Sequence, residues 1–315
     1  MPSYWHLLLL ILPVFALIAI GAVMRRVRWL NAEADASLLK LIVNFLYPCL
    51  IFDSVMGNAA LRQPANLFLA PLVGFVIIAS GIGLAYYAGR SLGLTQGNGL
   101  RTFAFTTGIN NYGYIPILLM GALFGRESLG VLLVHNVGCE AAIWTVGILV
   151  LAGLSLREGW RKLANPPVFA LVAAVLMNTL NLGRFMPSVV TEVIHLSSVC
   201  AVPLGLMLIG ATLVEYLSRP AELFDVRVTC ASGVLRLGLL PMLFLLIARF
   251  LPCPPDLKRV IIVQAAMPAG ILPIVIAKHY GGRPLTAVQV VVGTTVLGIF
   301  LIPLWLRLGL LWTGV

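Results

Sequence analysis

Apolar residues fill this chain in blocks of about twenty, and polar residues are confined to short intervals between them. The blocks fall at 4–24, 37–56, 66–88, 101–124, 128–153, 167–183, 189–214, 227–250, 257–280 and 285–311. A helix of about twenty apolar residues covers the hydrocarbon of a bilayer. The pattern therefore predicts an all-α polytopic membrane protein with about ten transmembrane helices. The fourth and ninth blocks are broken by glycine and proline at matching places: Arg101, Gly113, Pro116 and Gly125 superimpose on Lys258, Gly270, Pro273 and Gly282 at an offset of 157 residues. The same Gly/Pro spacing recurs at Gly281, Pro284 and Gly293, where it straddles a loop, so placement inside two equivalent blocks carries the argument. Breakers at matching depths in two halves of a membrane protein point to a transported solute, because unwound backbone offers free N–H and C=O groups. The reading is one crossing of two broken helices near the midplane, at Gly113, Pro116, Gly270 and Pro273.

Composition narrows the class. Hydrophobic residues make up 60% and charged residues 10% of the chain, and the mean hydropathy is +1.03. Soluble domains carry roughly a quarter charged residues, so the partner here is the lipid bilayer. The net charge of +10 suggests nucleic acid, but the basic residues are scattered through short loops and form no patch. Loops after odd-numbered blocks hold thirteen of them: Arg25, Arg26, Arg28, Lys40, Arg90, Arg101, Arg157, Arg161, Lys162, Arg219, Arg227, Lys278 and Arg283. Loops after even-numbered blocks hold six: Arg62, Arg126, Arg184, Arg249, Lys258 and Arg259. The positive-inside rule then places the odd loops in the cytoplasm and both termini outside. The most hydrophilic internal stretch, 155–166, divides the chain into halves 1–154 and 167–315, each with five blocks. An odd number per half makes the halves inverted repeats, and 155–166 a cytoplasmic linker. The first block is read as a helix, since its arginines follow the apolar run instead of preceding it. The five cysteines are scattered, without a Cys-x-x-Cys pair, and read as packing residues.

Candidate chemistry gathers at the breaks. Asn110 and Asn111 precede Gly113 and Pro116, and their amides can donate to a carboxylate or accept from a hydroxyl or a hydrated cation. The matching places in the ninth block are apolar, Met267 and Pro268, with Gln264 one turn earlier. Together with Gly270 and Pro273 these residues outline a pocket for a solute with one polar end and an apolar body. Glu140 lies mid-block in the fifth span and Arg236 mid-block in the eighth, where an isolated charge is costly. Three roles compete: a buried Glu140–Arg236 pair, an Arg236 that holds a substrate anion, or a Glu140 that carries a proton or cation. Asn136 and Trp144 stand one turn before and after Glu140 on the same helix face. His135 and His195 lack metal spacing and read as packing residues; Asp53 reads as a helix-end residue and Lys278 as a snorkelling one. Pro48 and Pro203 interrupt the second and seventh blocks and free a carbonyl each. No catalytic residue, metal site or cofactor is expected, and neither a nucleotide-binding Gly-x4-Gly-Lys-Ser/Thr nor a hydrolase motif occurs.

The run from Pro268 reads Pro-x-Gly-Ile-x-Pro-x-x-x-Ala-Lys-x-Tyr, ending at Tyr280, and is followed by a Thr- and Gly-containing last block that ends at Pro303. It resembles the C-terminal signature of the auxin efflux carrier family, and Asn111 to Pro116 is similar to that family's asparagine-and-proline crossover. The resemblance implies crossed, broken fourth and ninth helices in a mobile domain of spans three to five and eight to ten. Spans one, two, six and seven would be the scaffold of an elevator-type carrier. It also implies that a crossover asparagine, Asn110 or Asn111, helps hold a solute carboxylate. The short linker fits the bacterial type of the inner membrane better than the long-looped plant exporters.

The leading expectation is a secondary transporter of small organic anions, carboxylates such as auxin-like or dicarboxylate solutes, driven by H+, Na+ or the anion's own gradient, with a homodimer as its candidate assembly. Alternatives are a sodium-coupled symporter of the related bile acid type, and a channel or receptor-like binding protein. An enzyme is not expected.

Overall fold

The computed structural model describes residues 2–153, 161–217 and 225–315. Among these the chain is helical, and its one β-type pairing is an isolated antiparallel bridge. Eleven helices organise it: α1 Tyr4–Arg26, α2 Glu33–Val55, α3 Pro64–Ser91, α4 Leu100–Gly108, α5 Tyr114–Ala152, α6 Pro166–Thr179, α7 Ser188–Leu217, α8 Val226–Phe250, α9 Pro255–Ala266, α10 Leu272–His279 and α11 Pro284–Thr313. Local sequence sets their starts. Ser3 accepts from the His6 N–H, Asn31 from Ala34, Asn165 from Val168 and Asp225 from Arg227 and Val228, and each satisfies N–H groups that a first turn leaves free. Pro64, Pro166, Pro255 and Pro284 open their helices at the position where proline's missing N–H costs nothing.

Seven described helices are long and apolar enough to cross a membrane: α1, α2, α3, α5, α7, α8 and α11. The apolar pattern predicted about ten, and the difference has physical causes. The fourth and ninth blocks each split into two pieces at their interruptions, and the sixth yields a helix of 14 residues. The second half of the fourth block runs on into the fifth as α5, 39 residues long. It turns at Gly125, whose φ of 76° and ψ of −170° lie outside helical space and suit only glycine. The matching turn in the other half sits at Gly281, φ 69°, one residue before the position that the 157-residue offset selects. Half of the linker 155–166, residues 155–160, lies outside the described residues, as do Arg157 and Arg219.

Glycines let particular helices approach backbone to backbone. A Cβ on Gly21 would lie 1.9 Å from the Met207 carbonyl oxygen and one on Gly210 1.8 Å from that of Ile18, which locks α1 to α7. A Cβ on Gly138 would lie 1.7 Å from the Pro71 oxygen, and one on Gly74 2.3 Å from that of His135, which locks α3 to α5. Small residues at such crossings are the usual means of helix packing in lipid. Helices α1, α2, α6 and α7 pack against one another, while α3, α4 and α5 join α8 to α11 in a second bundle. Large apolar side chains stay exposed on the outside, Phe68 at 74% and Phe250 at 73% among them. In water such a surface would aggregate; in a bilayer it is the lipid face.

Wide π-type turns at 42–46, 143–147 and 235–239 bend α2, α5 and α8. Two of them directly precede prolines, Pro48 and Pro241. Pro203, by contrast, is carried inside the unbroken helix α7. Proline lacks the N–H that would bond the carbonyl four residues earlier; for Pro241 that carbonyl is Leu237, and the Trp305 indole N–H donates to it at 2.6 Å from α11. Trp305→Phe should keep the packing but orphan this carbonyl, lowering stability by about 1–2 kcal/mol. Thermal melting in detergent checks it, and a melting temperature equal to that of the unchanged protein would refute it.

Candidate functional site

Both interruptions are built the same way. α4 stops at Gly108 and α9 at Ala266, the next residues are extended, and a new helix starts at Tyr114 or Leu272. Pro116 and Pro273 therefore sit in the first turns of the restarted helices, where N–H groups have no intrahelical acceptor. The two extended segments lie side by side. Asn111 N–H donates to the Pro268 carbonyl at 2.7 Å, Gly270 N–H donates to the Ile109 carbonyl at 2.9 Å, and Asn110 pairs with Ala269 in antiparallel fashion. This satisfies within the protein the backbone groups that lipid could not. A Cβ on Gly270 would sit 3.0 Å from the Asn110 carbonyl oxygen, tighter than an ordinary contact, so glycine eases this close approach. Thr294 of α11 steadies the junction by accepting from Ala269 N–H at 3.1 Å. Three apolar clusters meet there, one holding Ile109, one Met267 and one Ala269.

A chain of side chains runs from this junction into α5. Asn110 donates its amide to the Gln264 side-chain oxygen, and both residues are fully buried. Gln264 donates to the Asn136 oxygen at 3.2 Å and the Tyr112 carbonyl at 3.4 Å, and Asn136 donates to that same carbonyl at 2.9 Å. The Tyr112 hydroxyl donates to Glu140 Oε1 at 2.9 Å, and Trp144 Nε1 donates to Oε2 at 3.0 Å. The Asn111 carboxamide lies beside this chain and makes no hydrogen bond among the described residues. Adjacent asparagines thus differ: Asn110 is tied to Gln264, while Asn111 keeps its donors and its acceptor free.

The structure brings Asn110, Asn111, Gln264, Met267, Pro268 and Gly270 together, with Gly113, Pro116 and Pro273 at the helix restarts that flank them. It does not join Glu140 to Arg236. Both Glu140 oxygens are occupied by Tyr112 and Trp144, and Arg236 extends along its own helix to place Cζ 5.5 Å from the Phe244 ring centre. The buried pair considered from the sequence is therefore not formed. Tyr112 and Thr294 were missed by sequence reasoning; the signal for Tyr112 was its position inside the interruption, and Thr294 gave none. Elsewhere, His135 is buried with Nδ1 3.5 Å from the Asn136 oxygen. Asp53 does more than end a helix: it accepts from His195 Nδ1 at 3.1 Å and Ser198 Oγ at 2.7 Å, and lines a cavity of about 420 Å³ with Arg126 and Glu192. None of the interruption residues lines that cavity. No cluster of His, Cys, Asp or Glu among the described residues could hold a metal ion.

Comparison with known proteins bears on the whole chain. The family profile described as "Membrane transport protein" matches residues 6–159 and 153–306. An uncharacterized transporter of Methanothermobacter thermautotrophicus is 25% identical over 301 residues, which covers 94% of this chain and 96% of that protein. Auxin efflux carrier component 8 of Arabidopsis thaliana is 30% identical over 132 residues, 41% of this chain and 35% of the plant protein.

Proposed function

We propose, since the chain belongs to the membrane transport protein family and is of the auxin efflux carrier type, that it is a secondary carrier of small organic anions working by an elevator movement. The observation that carries the reading is the free Asn111 carboxamide at the junction of two interrupted helices. The starts of α5 and α10 flank it, and helix N-termini favour negative charge. A polar group of the solute there meets a free amide donor and acceptor, a weak hold that suits a solute that must also leave. Residues 1–154 and 167–315 serve as inverted five-span halves joined by a cytoplasmic linker at 155–166, with α4–α5 and α9–α10 as the crossed fourth and ninth spans. The packing of α1, α2, α6 and α7 as one group supports their role as scaffold, with the other bundle as the moving part. At one face Asn58 of the scaffold donates to the Arg126 and Glu127 carbonyls of the moving part, at 3.2 and 3.1 Å, and holds the present arrangement. Glu140 tunes coupling through Tyr112 without touching the solute. The distribution of basic loops supports both termini outside, and the short linker supports the bacterial inner-membrane type.

The test is counterflow of radiolabelled carboxylates in proteoliposomes. Saturable exchange is expected, with Asn111→Ala weakening solute affinity by about 1–3 kcal/mol; a channel would show no counterflow, and unchanged affinity in Asn111→Ala would remove the site. A sodium-coupled symporter is favoured by one observation, the buried oxygens of Thr106, Thr107 and Asn110, at and just beyond the end of α4, which have no partner among the described residues. Hard cations take such oxygen ligands, and flux that requires sodium would select this version.

A further inference from the structure

Arg236 sits at the wide turn halfway along α8, fully buried, and none of its Nε, Nη1 and Nη2 atoms meets an acceptor among the described residues. A guanidinium stays protonated in proteins, so five N–H donors and a full charge are enclosed here. The Phe244 ring 5.5 Å from Cζ offsets a small part of that cost. Glu140, the acid deepest in a described span, is already engaged by Tyr112 and Trp144. A buried ion without a partner is among the most expensive arrangements in a membrane protein and marks a functional position. Its surroundings belong to the transport bundle: the Arg236 turn packs against α4, which ends at the first interruption, and α11, whose Thr294 holds the second. At 1.5 Å per residue Arg236 lies about 15 Å from the start of α8 and about 21 Å from its end, which puts it beyond the reach of lipid headgroups on either side.

We propose that Arg236 is an anion-binding residue of the carrier, whose guanidinium receives a carboxylate of the solute as a two-pronged pair when the bundle is loaded. Planar guanidinium and carboxylate match in geometry and each satisfies the other's charge. The solute is then anchored at Arg236 through its anionic group and at Asn111 through a further polar group. This assignment rests on the carrier reading above and adds to it the group that supplies the attraction for charge.

The decisive experiment titrates the purified full-length protein with succinate, benzoate and inorganic phosphate, following thermal shift in detergent. Counterflow of succinate into liposomes of purely zwitterionic lipid accompanies it. Arg236→Gln and Arg236→Met should raise the apparent Kd of the carboxylate that binds by 30-fold or more, and Arg236→Lys by about 10-fold, since it keeps the charge and loses the fork. Without solute, Arg236→Met should melt at or above the temperature of the unchanged protein, because it removes an uncompensated buried charge. A purely structural arginine would give the opposite, a lower melting point with unchanged affinity, and that result overturns the assignment. Activity that depends on added anionic lipid, with no carboxylate response, would identify a headgroup as the ligand and overturn it as well. If the unchanged protein binds carboxylates and Arg236→Gln binds them equally well, Arg236 falls and the carrier stands; if the unchanged protein responds to none of the three anions, both fall.

Discussion

Replacing Gly138 by valine should abolish recovery of folded protein, or lower its melting temperature by an amount equivalent to more than ~3 kcal/mol, the upper end of what overpacking usually costs. The first added carbon already falls 1.7 Å from the Pro71 carbonyl oxygen, less than half a normal contact distance, and the obstacle is backbone that cannot rotate aside. Relief requires α3 and α5 to separate, which would displace Asn136 and Glu140, carried on α5, from Tyr112. The control is Gly83→Ala on α3 or Gly121→Ala on α5: neither position has any atom within 4 Å of an added Cβ. Those changes should be neutral or stabilise slightly, by up to ~1 kcal/mol, as glycine inside a helix is itself unfavourable. Size-exclusion behaviour and thermal melting in detergent read both. A Gly138→Val protein that melts with the controls would show that α3 and α5 are not in backbone contact.

The second large effect is expected at Gln264. Gln264→Leu removes the acceptor of Asn110 and the donor to Asn136 and to the Tyr112 carbonyl, all in a dry interior. Buried groups left unpaired cost about 1–3 kcal/mol each, so Gln264→Leu should cost more stability than Asn110→Leu, which breaks only bonds to Gln264. Transport should fall further than stability, because Tyr112 leads on to Glu140 and the junction sets the position of Asn111. Since Asn110 and Gln264 touch, their double replacement should depart from additivity by about 0.5–3 kcal/mol. Measuring the four proteins by melting temperature and by initial flux completes the comparison. Additive losses, or a Gln264→Leu protein with full flux, would remove the polar chain from the mechanism.

The meeting of two interruptions was legible from the 157-residue offset because glycine and proline are punctuation that a membrane helix tolerates at few places. What the prolines do there was not legible. They read as breakers, whereas Pro116 and Pro273 belong to the first turns after the breaks, and the interrupted segments 109–113 and 267–271 are held by backbone bonds that no side-chain pattern records. Gln264 could be placed near the junction by helical spacing and Asn136 only beside Glu140, but that Asn110 is engaged and Asn111 is free depends on which side of an extended segment each occupies, a single-residue alternation. Glu140 and Arg236 suggested a pair because both are buried charges at similar depth. Depth is readable from a hydropathy pattern; direction is not, and Tyr112 and Trp144 claimed the carboxylate first. Close approaches such as Gly138 to Pro71 leave no trace in composition, since a glycine in a crossing and a glycine facing lipid look alike along the chain.

The bonds from Asn111 to Pro268 and from Gly270 to Ile109 also impose an order on biosynthesis. When the ribosome has delivered Ile109 and Asn111 to the bilayer, their partners are still 161 and 157 residues further along the chain. At roughly 5–20 residues per second that is a wait of about 8–30 seconds, during which unwound backbone has no permanent acceptor in a medium that provides none. The nascent first half must shelter it, by lingering beside the insertion machinery, by admitting water, or by winding temporarily into a continuous helix that later opens. The junction of the two interruptions is therefore among the last features of the molecule to exist, completed only as α9 and α10 arrive.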